Sequence, residues 1–369
     1  MRDPRFDRLA EVLVNYSVEL KPGQLVRIRG SLESVPLASA CYRAALRAGA
    51  HPFVRLAPDD LAEFFYKHGS DDQLRFVSPL AELEIEKLDA SIGFWGGCNT
   101  RALTGVDPVR QAMATSALRK IKQRFMARAA AGDLRWTGTM MPTNAAAQDA
   151  EMSLTEYEDF VFSAGLLEEP DPIAAWKDIS ARQEKIVRLL SEHKQFRLVA
   201  EETDLTFNME NRKWKNCDGH ENFPDGEVFS GPVEDSVEGH IAYSFPCMYG
   251  GRESLGVRLT FREGKVVEAT AEKGQDFLRA MIAQDDGACR VGEIAFGLNP
   301  NITRFTRNTL FDEKIGGTCH LALGSAYPET GNKNTSGLHW DMVCDLRESG
   351  QVFGDGKLIY EQGKFKEEK

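Results

Sequence analysis

Apolar positions recur at helical spacing between residues 9 and 20, and Lys21-Pro22-Gly23-Gln24 breaks the run as a turn. Residues 25–29 then alternate as a short strand, and an Ala-rich helix over 36–49 closes near Gly49. Further strands are predicted at 52–56 and 90–96. Strand, helix, strand with short joins is the pattern of a parallel sheet covered by helices. Residues 151–193 read as largely helical and charged, with the helix over 176–190 bridging to a second unit. From about 197 the pattern turns to strands: 255–261 and 266–272 flank Arg262-Glu263-Gly264-Lys265, a hairpin signal, and one helix over 275–283 interrupts them. The expected fold class is α/β: an N-terminal doubly wound α/β domain, residues 1–190, followed by a strand-rich α+β domain, residues 191–369.

Composition narrows the function classes. Hydrophobic residues at 42% and charged residues at 27% are those of an ordinary globular protein rather than a disordered or fibrous one. Lys+Arg 45 against Asp+Glu 56 leaves a net charge of −11. Such a surface repels phosphate groups, and the densest basic stretch, 119–124, has helical spacing and reads as a solvated face. Neither a nucleic-acid nor a membrane partner is expected. No GxGxxG follows any strand, so a dinucleotide site has no support. The seven cysteines are scattered without a CxxC pair, which reads as reduced thiols in a cytoplasmic protein and offers no Cys-based zinc site.

The candidate chemistry lies in the second half, at turns and strand ends. Glu227 follows Asn222-Phe223-Pro224-Asp225-Gly226, Glu293 follows Val291-Gly292, and His320 sits within an apolar run. His339-Trp340-Asp341 on a strand places His339 and Asp341 on one face and turns Trp340 to the other. Imidazoles with carboxylates are the ligand set of zinc, cobalt, manganese or iron. Taken singly, a glutamate after glycine at a turn is an ordinary solvated residue, and a histidine between leucines an ordinary half-buried one. His220, His240 and Glu253 are given that structural reading outright.

The segments 222–232, 291–295, 310–313, 318–327 and 334–341, with 142–161 in the first half, resemble the thermophilic metallo-aminopeptidase family, the aminopeptidase T type (peptidase family M29). The resemblance runs through nearly the whole chain and makes the second half the catalytic domain. It implies a two-metal site of Glu227, Glu293, His320, His339 and Asp341, with Glu313 as a further candidate ligand and Tyr327 matching the family's active-site tyrosine. It also implies peptide substrates, two divalent ions (Co²⁺, Zn²⁺ or Mn²⁺) and a homodimer. In such a site two ions hold a bridging hydroxide and polarise the scissile carbonyl. Glu293 is expected to bridge them, and the Tyr327 O–H to donate to the oxyanion. No HExxH helix is present, so the zincin mechanism is not available. Two other readings stand beside this one. His320, His339 and Asp341 alone form the two-His-one-carboxylate set of a mononuclear non-haem iron ring-opening dioxygenase of the dihydroxypyridine type. The scaffold could also be retained in a non-catalytic binding protein.

Overall fold

The computed structural model describes residues 3–366, which cluster into two compact units. Of these, the first comprises residues 3–173 with 219–224, and the second 174–218 with 225–366.

In the first unit a five-stranded sheet runs His51–Ala57, Leu25–Ser31, Ala90–Trp95, Arg135–Met140, Asn222–Phe223, with every neighbouring pair parallel. Val26, Ile28 and Ile92 are fully buried, as expected for central strands of a parallel sheet covered on both faces. The helix Val35–Arg47 starts on Pro36 and packs Leu37, Ala38, Cys41, Ala44 and Ala45 inward. Gly49, in the left-handed region, lets the chain turn back into the next strand. The alternation of elements read from the sequence is therefore the one observed. The first helix is shorter than its apolar spacing suggested: Arg5–Val12 is regular, and Leu13–Ser17 relaxes into a π-helical turn. The strand Arg135–Met140 carries Thr137, Gly138 and Thr139 at its centre and lacks the apolar run that would have announced it.

The second unit holds an eight-stranded sheet and a five-stranded sheet, both antiparallel. Its core draws on both, including Leu198, Leu205, Ile241 and Leu259 from the first and Ile294, Phe296, Leu321, Trp340 and Met342 from the second. The predicted hairpin is present as Arg258–Arg262 against Lys265–Thr270, its turn made by Glu263 and Gly264, both at positive φ. The helix Pro172–Ser191 belongs to this unit from Ala174 onward. The boundary expected at residue 190 is at the far end of that helix. Gln183, midway along it, shows why the helix sides with the second unit: its Nε2 donates to Asn216 Oδ1, Cys217 O and Glu227 O. Residues 219–224 return to the first sheet, so the division is discontinuous in sequence.

Candidate metal centre

The five-stranded sheet orders its strands His339–Asp345, Thr318–Gly324, Val291–Gly297, Glu227–Ser230, Lys215–Cys217. Directly opposed residues of an antiparallel ladder share a face. The register pairs Gly297 with Glu227, Ala295 with His320, Glu293 with Ala322, Ala322 with Asp341 and Gly324 with His339. All five candidate ligands therefore project from one face, and each has an alanine or glycine opposite it on one neighbouring strand, while Val343 and Cys217 oppose His320 and Glu227 on the other. The intervening positions, Val228, Ile294, Phe296, Leu321, Leu323 and Trp340, turn to the other face and enter the core. Alternation thus separates chemistry from packing along every strand, and the small opposing residues leave room above the sheet for the polar side chains to converge.

They do converge. His320 Nε2 lies 3.5 Å from Glu293 Oε1 and 3.8 Å from Glu227 Oε2. His339 Nε2 lies 3.5 Å from Glu293 Oε2 and 3.4 Å from Asp341 Oδ1. Glu293 thus turns one carboxylate oxygen toward each imidazole. His339 Nδ1 is 2.8 Å from Ser325 O, which fixes the proton on Nδ1 and leaves Nε2 facing the carboxylates. Glu313, at the end of the short helix Thr309–Asp312, joins from the side. Donor atoms gather in two sets, Glu227 with Glu313 and His320, and Glu293 with His339 and Asp341, each within 4.8 Å.

The turn glutamates are not solvated. Glu227 is 5% exposed, Glu293 4% and His320 not at all. Burying such groups is costly unless something compensates them. Yet Glu227 Oε2 and both ring nitrogens of His320 have no hydrogen-bond partner. Donors bound about 2.1 Å from a common centre stand roughly 3–3.5 Å apart, close to the separations here. The residues present therefore fit divalent ions, with oxygen and nitrogen donors suited to zinc, cobalt or manganese.

In the metal-free chain the charges lean on one another. Burial works against a protonated His320, but contact with Glu293 and the charges of Glu227 and Glu313 push its pKa up to about 9. His339 is likewise opposed by burial yet raised to about 10, chiefly by Asp341 and then Glu293. Burial alone would raise Asp341; His339 and His320 reverse that and hold it well below the usual carboxylate range. Burial raises Glu293 and Glu313. Tyr327 follows the strand Thr318–Gly324 and packs edge-on against His339 at 5.6 Å and Phe229 at 5.2 Å between ring centroids. Tyr327 is 43% exposed as a whole, but partial burial of its phenol, then the carboxylates of Glu293 and Asp341, push it above the ordinary range, so it remains a proton donor.

Three residues were missed from sequence. Lys314, 1% exposed, places Nζ 2.6 Å from Glu313 Oε2 and 3.4 Å from Glu227 Oε1. Its only sequence signal was adjacency to Glu313. Cys217 and Asp225 stand on the other side of Glu227, a third donor set within 4.8 Å. Burial and the charges of Asp225 and Glu227 hold the Cys217 thiol well above the usual range, so it is a protonated thiol rather than a ready thiolate ligand. The residues read as structural are so placed. His240 is exposed on the eight-stranded sheet, His220 stacks on Tyr16, and Glu253 pairs with Lys273 and Arg307. Among the described residues, His320 falls in a different donor set from His339 and Asp341, and so the triad required by the dioxygenase reading is split.

A family model for thermophilic metalloproteases (M29) matches residues 2–365. The chain is 29% identical over 356 residues to Aminopeptidase 2 of Geobacillus stearothermophilus, covering 88% of this chain and 84% of that protein. It is 27% identical over 359 residues to Aminopeptidase T of Thermus thermophilus, covering 90% and 87% respectively. The structure of wild-type AmpT from Thermus thermophilus matches with a TM-score of 0.85 at 25% identity, over 98% of both chains. With a match running nearly from end to end, this chain belongs to the thermophilic metalloprotease family M29 and is a hydrolase.

Proposed function

We propose that the protein is an aminopeptidase that removes N-terminal residues from peptides, using two divalent ions. Glu227, Glu313 and His320 would hold one and His339 and Asp341 the other, with Glu293 shared. The observation that carries this reading is Glu293, buried between two imidazoles with one oxygen toward each. A mononuclear site has no use for that arrangement, nor for Glu227 and Glu313 beside it.

Two ions held there would supply a nucleophilic water at neutral pH and polarise the scissile carbonyl. The protein's own contribution is positioning and charge. The Nδ1–H of His339, donated to Ser325 O, fixes the imidazole so that Nε2 faces inward. Tyr327, protonated and beside His339, is placed to donate its O–H to the oxyanion as the tetrahedral intermediate forms. A free, unprotonated α-amine of a peptide N-terminus could ligate one of the two ions, which would favour an exopeptidase over an endopeptidase. The reading extends to a cytoplasmic homodimer, on the free thiols and the family resemblance.

Protein purified without chelator and analysed for metals should contain about two cobalt, zinc or manganese ions per chain. It should release arylamine from aminoacyl-arylamides, lose that activity on exhaustive chelation and regain it with Co²⁺ or Zn²⁺. Full activity after verified metal removal would refute the mechanism, and a single bound iron would revive the dioxygenase reading. Light scattering should give the mass of two chains.

A further inference from the structure

Lys314 is a feature of the site that its candidate ligands leave unexplained. It is 1% exposed, so it neither meets solvent nor reaches substrate. Its Nζ takes one oxygen from each of two carboxylates, Glu313 Oε2 at 2.6 Å and Glu227 Oε1 at 3.4 Å. The other oxygen of Glu227, Oε2, is the one turned toward His320. Each of the two imidazole-bearing donor sets contains two carboxylates, yet the ammonium contacts only the one built on His320; Asp225, a further buried carboxylate, groups with Glu227 and Cys217 rather than with Glu313 and His320. The two imidazole-bearing sets are therefore unequal in charge.

We infer that Lys314 is a positioning residue that serves as resident counter-charge for the His320 half of the site: it holds Glu227 and Glu313 in place before metal arrives, and makes that half the weaker of the two for a divalent cation. The inference rests on the two-metal reading. Two buried carboxylates without a cation repel one another and resist burial. The ammonium relieves both costs and fixes which oxygen each carboxylate offers. Since it stays in place on loading, its charge opposes the incoming ion over a short, poorly screened distance. Among the described residues the half built on Glu293, His339 and Asp341 has no such contact with a lysine or arginine.

The test compares wild type with Lys314→Met, similar in length and without charge, by thermal melting with and without metal and by Co²⁺ titration followed by visible absorption. Metal-free Lys314→Met should melt roughly 5–15 °C lower, the consequence of breaking a buried pair in a chain of this size. The Co²⁺-loaded variant should lose less than half as much, because the ion replaces the missing charge. Wild type should bind one Co²⁺ tightly and one more weakly, and in the variant the weaker site should tighten about 10-fold or more. Equal losses with and without metal would make Lys314 a core filler and overturn the inference, as would an unchanged or weakened second site. Should Lys314→Met not fold without metal, Glu313→Gln/Lys314→Met removes both charges and should recover a metal-free melting point near wild type; a double variant as unstable as the single one overturns the inference. Wild type that binds no Co²⁺ would bring down the two-metal reading itself. Two ions bound alongside equal losses in the variant would bring down only the role of Lys314.

Discussion

Tyr327→Phe isolates chemistry from metal binding. The ring is held by edge contacts with His339 and Phe229 that phenylalanine keeps. Deleting the oxygen should therefore change stability by less than about 0.5 kcal/mol. It should also leave the metal complement intact, since carboxylates and imidazoles supply both donor sets. The phenol is held protonated by burial and by the carboxylates around it, so wild type offers a donor across the working pH range. A donor that meets the oxyanion only as charge develops is worth about 10²–10³ in rate, roughly 2.7–4 kcal/mol. The loss should fall on kcat with KM little changed, because ground-state binding does not use the bond. Steady-state kinetics on an aminoacyl-arylamide, with metal content measured on the same preparation, checks this. A fully loaded Tyr327→Phe enzyme within a factor of about three of wild-type kcat, roughly 0.7 kcal/mol, would refute the assignment and leave the hydroxyl pointing to water.

Further expectations follow from the same geometry. His339→Ala and Asp341→Ala should each lose metal and activity while melting cooperatively, whereas His240→Ala, exposed on the other sheet, should be close to silent; an inactive His240→Ala beside an active His339→Ala would reverse the assignment. His320 near 9 and His339 near 10 are both raised and protonated at neutral pH without metal, so metal must displace those protons. Calorimetry in buffers of different ionisation enthalpy should show about two protons released, and affinity should rise with pH until both imidazoles are neutral; affinity flat across that range would refute it. The same two groups stabilise the metal-free fold fully below their unfolded pKa of about 6.5, and that contribution fades as pH climbs through 9 and 10. Trp340→Ala should cost about 3–5 kcal/mol in denaturant unfolding, since the ring is buried against Tyr249 and Phe277; a cost under about 1 kcal/mol would contradict the packing described.

What the sequence made legible was local. The two-residue spacing of His339 and Asp341 and the inward turn of Trp340 follow from strand geometry, and all three are found as that geometry requires. The hairpin around Gly264 and the Ala-rich helix beginning at Pro36 are equally short-range matters of turn chemistry and spacing. Burial of Glu227 and Glu293 was not legible from either local segment. A glutamate after glycine reads as exposed until another strand is laid beside it, and that neighbour comes from far along the chain: Gly297 pairs with Glu227, and Ala322 lies between Glu293 and Asp341. Lys314 was invisible for the same reason, its meaning residing in Glu227 rather than in its own surroundings.

The long-range pairing also accounts for the particular order of strands. The strand of Glu293, Val291–Gly297, lies inside the sheet with the His320 strand Thr318–Gly324 on one side and Glu227–Ser230 on the other, and the His339 strand lies beyond Thr318–Gly324. Glu293 pairs with Ala322 on one side, beside a shift of register after Val291, and from Ile294 onward its strand is paired on both sides. His339 and Asp341 come from an edge strand of this sheet, and there the supporting contacts are different in kind: the hydrogen bond from His339 Nδ1 to Ser325 O and the packing of Trp340 into the core. Glu293 and His320 thus come from strands inside the sheet, while His339 and Asp341 depend on neighbours at its edge. Loss of the Trp340 ring should therefore disturb His339 and Asp341 before it disturbs Glu293, and weaken metal in their half first.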